Sequence, residues 1–345
     1  MKVRIDPGVY NDAQWFAVLD VVALLIENRR HGLDAADLPE LLASGWVAAR
    51  PGDLRDVLKL SALARSTDSL ADKSTAVIDV GAKSGGEVDF AANLTRIHPL
   101  DAVQFLVSPF HLIVENEWFD GAFVLWVAKA VGLNRLVAAY REGKFVFRHA
   151  GGKDAFDRCA RILSQGVWPQ AEGGAARAMR MRVGAMLDSD ARHPNDAPNA
   201  GVIAKTLDHV SFVHQLRRRA IESYIPEFYL HKHNQSNEFK RKVSAVSRLT
   251  DLQKTYFKMK NGFKHDKDGS RTKASYMASP KIRAAERALF DSVSIADFHT
   301  LGLGFGDGLS EIFVNETPSS NDRYFNEPGD VAEIKSLCNA IYERL

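Results

Sequence analysis

The sequence predicts an α/β protein in which a parallel sheet in the middle of the chain is flanked by helices and lies between mainly helical N-terminal and C-terminal regions. Two rhythms carry this prediction. Up to about residue 70 and again beyond residue 200, apolar side chains recur at three- and four-residue spacing, the period of an amphipathic helix. Between them, short apolar runs alternate with helical patterns, which is how strand–helix–strand units of a parallel sheet read. A third observation is that acidic residues and glycines stand directly behind those apolar runs.

Residues 12–28 place Trp15, Val18, Leu19, Val22, Leu25 and Ile26 on one stripe, and 38–43 and 53–64 continue in the same style. Residues 1–105 are therefore expected to form a mainly helical N-terminal region. Within it, Asp79-Val-Gly-Ala-Lys-Ser-Gly-Gly-Glu87 lacks the GxxxxGK[ST] order of a phosphate loop and reads as a turn or linker. Phe110-His-Leu-Ile-Val-Glu115 is the first predicted strand of the middle region, followed by a helix with Phe119, Phe123, Trp126, Val127 and Ala130 along one face. Lys144-Phe-Val-Phe-Arg148 is the second, turning through His149-Ala-Gly-Gly152 into a helix that carries Phe156, Cys159, Ala160 and Leu163. After a glycine- and alanine-rich connection, Arg182-Val-Gly-Ala-Met-Leu187 is the third. The sheet-bearing domain is placed at 106–235. The remainder, 236–345, is expected to be basic and mainly helical, with helices at 236–263 and 281–290. Thr250-x-x-Gln253 has the form of a capping box, and Asn261-Gly262 that of a helix stop. Residues 315–328 are rich in Ser, Asn and Pro and read as a surface loop before a closing helix.

A chain of 345 residues with 46% hydrophobic content can bury a large core in more than one structural unit. Its most apolar stretches, 16–26 and 121–132, are interrupted by Asp20 and Lys129 and are too short to cross a bilayer. No secretion signal is recognisable in the first residues. The two cysteines, Cys159 and Cys338, lie outside any CxxC pair, so neither a disulfide framework nor a cysteine zinc site is supported. His231 and His233 lack a third soft ligand at the spacing of a zinc motif. A cytoplasmic protein with no membrane partner is expected. The net charge of +2 conceals an asymmetry: residues 217–287 hold 18 Lys and Arg against seven Asp and Glu, about +11, which leaves about −9 for the rest. A basic surface beside an acidic site suits a polyanionic substrate, while a solvated helical face is the plainer reading. Tyr224, Phe228, Tyr229, Phe239, Tyr256, Phe257 and Phe263 interleave these charges and would allow base stacking or simply fill a core.

Open parallel sheets bind ligands in the crevice beyond the carboxyl ends of their strands. Glu115, Gly151 with Gly152, and Asp188 with Asp190 all fall there. In an extended segment residues two apart point the same way, so Asp188 and Asp190 would present two carboxylates roughly 7 Å apart at the backbone. A divalent cation relieves their repulsion, and hard oxygen ligands select magnesium, manganese or calcium over zinc. Glu115 joins the same crevice if the first strand lies beside the third. A lone DxD also caps helices and closes turns, so the joint pattern carries the argument.

That joint pattern, Val114-Glu-Asn-Glu117, Gly151-Gly-Lys153 and Leu187-Asp-Ser-Asp190 in this order, resembles the TOPRIM family. Leu216-Arg-Arg-Arg-Ala-Ile-Glu-Ser-Tyr-Ile-Pro226 looks like the RRxIExY element of TOPRIM nucleases related to the overcoming-lysogenization-defect proteins and bacterial antiphage effectors. The resemblance covers roughly residues 108–262. It implies a TOPRIM-like sheet and an endonuclease dependent on Mg2+ or Mn2+ that hydrolyses phosphodiesters in DNA, or in RNA including transfer RNA, as an antiviral defence effector. It also implies that Glu115 is a metal ligand or general base, that Asp188 and Asp190 are metal ligands, and that Glu222 is a further ligand. Lys260 in Tyr256-Phe-Lys-Met-Lys-Asn-Gly262 would be the catalytic lysine, with Lys153 as its rival. The chain departs from the family at Asn116, where a glycine is usual, and at Asp120, displaced by one from the expected acid near position 119; Asp120 and Glu117 are thereby left outside the implied ligand set. Glu222 could instead pair with Arg218 or Arg219 on one helical face. The alternative function is a non-catalytic TOPRIM subunit that binds nucleic acid or docks a partner, against which the presence of all three motif acids argues. No Walker A motif is present, so any ATPase that works with this protein is separately encoded. The N-terminal region would dock such a partner or mediate homo-oligomerisation.

Overall fold

The computed structural model describes residues 1–34, 36–66, 73–167, 177–263, 272–318 and 328–345. The protein is α/β, with two predominantly parallel sheets flanked by helices. β1 (Lys2–Ile5), β2 (Gly32–Leu33), β3 (Thr75–Ile78), β4 (Glu87–Asp89) and β5 (Leu94–Ile97) form, among the described residues, one sheet in the order β2-β1-β3-β5-β4, parallel except for β4 on β5. Val3, Ile5, Ala76 and Ile78 pack with Leu19, Val22 and Ile26 of helix Phe16–Glu27 and with Phe105 and Leu106 of helix Pro99–Val107 in one core. The expected helices of this region are present, but the sheet between them was not foreseen. Its strands run for two to four residues, too short for a period-two pattern to emerge beside long helical stripes. Residues 79–86 form the expected turn, with Gly85 and Gly86 at positive φ.

The second sheet contains β6 (Phe110–Val114), β7 (Phe145–His149), β8 (Val183–Leu187) and β9 (Val213–Gln215) in the order β7-β6-β8-β9, parallel throughout. All five residues of β6 and of β8 are buried, as a strand covered on both faces requires. The first and third predicted strands are neighbours, Ile113 pairing with Ala185. β9 was missed because three half-buried residues, Val213-His-Gln215, carry no pattern of their own.

Beyond β9 the described chain is helical, as expected. The predicted helix over 236–263 is divided into Asn237–Ser247 and Asp251–Tyr256, and the capping box at Thr250 and Gln253 starts the second with both reciprocal hydrogen bonds. Residues 264–271 of the basic segment, 168–176 of the connection before β8 and 319–327 of the predicted loop lie outside the described residues. No described helix is long and apolar enough to cross a membrane.

Two buried arginines tie distant segments together. Arg182, just before β8, donates to the carbonyls of Arg344 and Ser108 at 2.6 Å each, and burial pushes its pKa down to about 9. Arg218 donates to both carboxylate oxygens of Asp330 through Nε at 2.9 and 3.0 Å and through Nη2 at 2.8 Å, with both side chains fully buried. That pair fixes helix Pro328–Tyr342 against the segment that follows β9. Removing one partner strands a buried charge, so Asp330→Ala should lose about 3–5 kcal/mol in urea unfolding. Replacing both partners with leucine and methionine should recover much of that loss; a single variant as stable as the wild type would show that the pair contributes nothing.

Candidate functional site

Because the strands of the second sheet are parallel, their carboxyl ends open on one edge, and the chain leaves β6 and β8 through an acid and β7 through Ala150 and two glycines. Glu115 follows β6 directly. The next residue, Asn116, accepts the backbone N–H groups of Trp118 and Phe119 with its side chain, starting helix Phe119–Ala130. Asp120, in the first turn of that helix, accepts the Asn116 N–H at 2.8 Å, which holds its carboxylate back toward the strand end. After β7, Gly151 and Gly152 have φ of +79° and +104°, a backbone that other residues rarely adopt, and they deliver Lys153 to the same edge. Lys153 pairs with Asp190 and lies 4.0 Å from Glu115.

Asp188 follows β8 and accepts the backbone N–H of Ile221 at 3.2 Å. Asn199 donates to the carbonyls of Asp188 and Ser189 at 2.7 and 2.9 Å and pins this turn. Ile221 opens the short 3-10 turn Ile221–Tyr224, which buries Glu222. Glu222 accepts Ser310 Oγ and pairs with Lys260 Nζ at 2.9 Å. Gly262, at φ +61°, seats the Lys260 loop against Leu301 and Gly304, where a Cβ would lie 1.8 Å from the Leu301 carbonyl oxygen. A side chain there would displace the loop that carries the lysine.

Mutual electrostatics show which of these acids share a field. Asp188 is held well above the usual carboxylate range, first by burial, then by Asp120 and Glu222, with Glu115 adding and Lys153 opposing. Asp120 is pushed up to about 6, first by burial; Glu115 and Glu222 also raise it, while the Asn116 N–H and Lys260 work against them. Burial lowers the Lys153 pKa against the pull of Asp188, Glu115 and Asp120. For Lys260 burial acts downward too, but Glu222, Asp188 and Asp307 outweigh it and the pKa is raised. Glu115, Asp120, Asp188 and Glu222 thus form one acidic cluster with two lysine counterions.

The cluster differs in three ways from the sequence expectation. Asp190 does not stand beside Asp188 as a second blade of an extended DxD, because its φ is +51° and its exposed side chain turns to Lys153. Asp120, left outside the expected set, is a member. Glu222 does not pair with Arg218 or Arg219: Ala220 is extended at φ −154° and ψ 165°, which removes the helical face that would bring them together. Ser310 had no sequence signal, since it reaches Glu222 from a distant turn. Lys153 and Lys260 both reach the cluster.

Among the described residues, no three or more Asp, Glu, His or Cys side chains are drawn close enough in this structure to hold one metal ion. The chemistry of the donors nevertheless fits a hard divalent cation: all are carboxylate oxygens, and Asp188 and Asp120, raised first by burial, are raised further by neighbouring carboxylates despite the two lysines. Comparison with known protein families, curated proteins and solved structures finds no match for this chain.

A carboxyl whose pKa is raised on folding binds protons more tightly in the folded state, so stability falls as pH rises from the ordinary carboxylate value toward the folded one. In the presence of chelator, the melting temperature should therefore drop as pH is raised from about 4 to about 6. Magnesium should flatten that slope by favouring the ionised carboxylates. A melting temperature that rises through this window in chelator, and does so equally in Asp188→Asn, would rule out the mutual repulsion described here.

Proposed function

We propose that this protein is a metal-dependent phosphodiester hydrolase acting on nucleic acid, and that the carboxylate cluster at the edge of the second sheet is its active site. One observation supports this reading above others: four carboxylates and two lysines act on one another electrostatically at the edge where a parallel sheet ordinarily binds its ligand. The order of these residues along the chain, and their likeness to TOPRIM nucleases, point the same way. Asp188, Asp120, Glu115 and Glu222 would hold Mg2+ or Mn2+, with Asp190 positioned by Lys153. Bound there, such an ion supplies charge neutralisation and lowers the pKa of water.

The chain's own groups divide the remaining work. Lys260 stays protonated between Glu222 and Asp188, so it presents a fixed cation to a phosphate whose negative charge grows during attack. Lys153 restrains Asp190 and faces Glu115, which keeps the entrance of the cluster ordered. DNA is the preferred substrate, RNA including transfer RNA the alternative, since groups that contact phosphate do not read the sugar. An effector role in antiviral defence, with a separately encoded ATPase as partner, follows from the same likeness.

Plasmid DNA and total RNA should be cut by the purified protein with magnesium or manganese and left intact with chelator. Asp188→Asn and Lys260→Met should each reduce the rate on the order of a hundredfold or more. Cleavage indifferent to chelator and to Asp188→Asn would overturn the proposal, whereas binding without cleavage would favour a non-catalytic subunit.

A further inference from the structure

On loops shared with the acidic cluster lies a half-open pocket of about 40 Å3, whose lining includes Arg192, Arg219, Lys258, Tyr256, Tyr276 and Glu286. Among its lining residues are three cations and one carboxylate. The Tyr276 hydroxyl donates to one oxygen of buried Glu286 at 2.9 Å, and the other oxygen has no partner. Arg219 is held by its own N–H on the Thr255 carbonyl and by Nη1 on the Tyr256 carbonyl, while its Nε is buried without a partner. Phe263 stacks on Phe298, and both meet the edge of Tyr276, giving this wall a rigid aromatic base. The pocket is therefore shaped, cationic and incompletely satisfied.

Its relation to the cluster is systematic. Three segments each place one charged group on the cluster or on its lysines and one cation on the pocket, two or three residues apart: Asp190, which pairs with Lys153, and Arg192; Glu222 and Arg219; Lys260 and Lys258. The Asp190 N–H donates to the Arg219 carbonyl at 2.9 Å and joins two of these segments directly. Two or three residues span at most about 7–10 Å, the scale of one nucleotide step.

We infer that this pocket binds a phosphoryl group of the nucleic-acid strand, one nucleotide removed from the phosphodiester that faces the carboxylates. The inference rests on the nuclease reading for the source of the phosphate. The shared chemistry is a phosphate oxyanion, and a free mononucleotide could supply it as well. Guanidinium groups suit it because their planar donors engage two phosphate oxygens together. Glu286 sets the limit on affinity, since its carboxylate competes with the phosphate for the same cations.

The test is binding in chelator, where cleavage plays no part. Fluorescein-labelled short single-stranded DNA and RNA are titrated by anisotropy over a series of KCl concentrations, with adenosine 5′-monophosphate as competitor. The proteins compared are wild type, the double variant R192Q/K258Q and the single variant E286Q. The double variant should bind the strand roughly tenfold or more weakly, and the slope of log affinity against log salt should become shallower by about one. Glu286→Gln keeps an acceptor for the Tyr276 hydroxyl and should tighten binding, a direction that misfolding would not produce. Unchanged affinity and salt slope in the double variant overturn the inference, as does wild-type protein that binds neither probe. Should adenosine 5′-monophosphate bind and the strand not, with loss in R192Q/K258Q, the phosphate pocket stands and the nuclease reading falls. Cleavage that depends on magnesium together with unaltered binding by the double variant has the opposite meaning.

Discussion

Parallel pairing of β6 with both β7 and β8 is the constraint on which the rest depends. Antiparallel strands would scatter their ends over two edges; here every carboxyl end emerges on one. The register that sets Ile113 against Ala185 brings out Glu115 and Asp188 two and three residues later at the same edge. Both strands are buried along their whole length, so neither could carry an acid further back without burying an unpaired charge in the core. The rim is the first place at which the chain can become acidic, and after β6 and β8 it does so at once, with Glu115 and Asp188.

Gathering carboxylates has an electrostatic cost, and the loops around the rim are built to offset it in part. The two lysines arrive on backbone that few sequences could form: the double glycine before Lys153, and the interlocked Gly262 and Gly304 beside Lys260. Each lysine meets a different part of the cluster, Lys153 on the side of Asp190 and Glu115, Lys260 on the side of Glu222. Asp188 lies between them and keeps the most strongly perturbed carboxyl of the group. That residual imbalance is the physical reason for expecting a cation of higher charge density than an ammonium group.

Much of this was legible in the residues. The middle strands are visible because buried strands read as continuous apolar runs, and Glu115, Asp188, Glu222 and Lys260 stand out in the sequence by their place after those runs or within the TOPRIM-like motifs. Other features left no trace because they depend on contacts between distant segments. The N-terminal sheet is assembled from strands of two to four residues, each stabilised by its neighbours and not by a pattern of its own. Asp190 was misplaced for a local reason: an extended DxD was assumed, whereas a left-handed residue turns the second acid away. Asp120 was set aside for standing one position late, yet in a helix one position is a rotation, and the Asn116 N–H recovers it for the cluster.

The charge count along the chain misled in magnitude and informed in position. Much of the basic segment is engaged in local ion pairs: Arg218 with Asp330, Arg248 with Asp297, Lys242 with Glu238, Lys232 with Glu316 and Arg283 with Asp196. These cations are paired with carboxylates of their own helix or of neighbouring segments. Tyr224, Tyr229, Phe239, Phe257 and Phe263 are likewise core residues, so base stacking across the segment is not what the aromatic interleaving records. Arg192, Arg219 and Lys258 stand two or three residues from Asp190, Glu222 and Lys260 on three loops, so the backbone that places those charges at the rim also places a cation at the pocket. A polyanion approaching that edge would meet attraction flanking a centre that repels it, and that centre becomes hospitable to phosphate only when a metal ion is shared between the two.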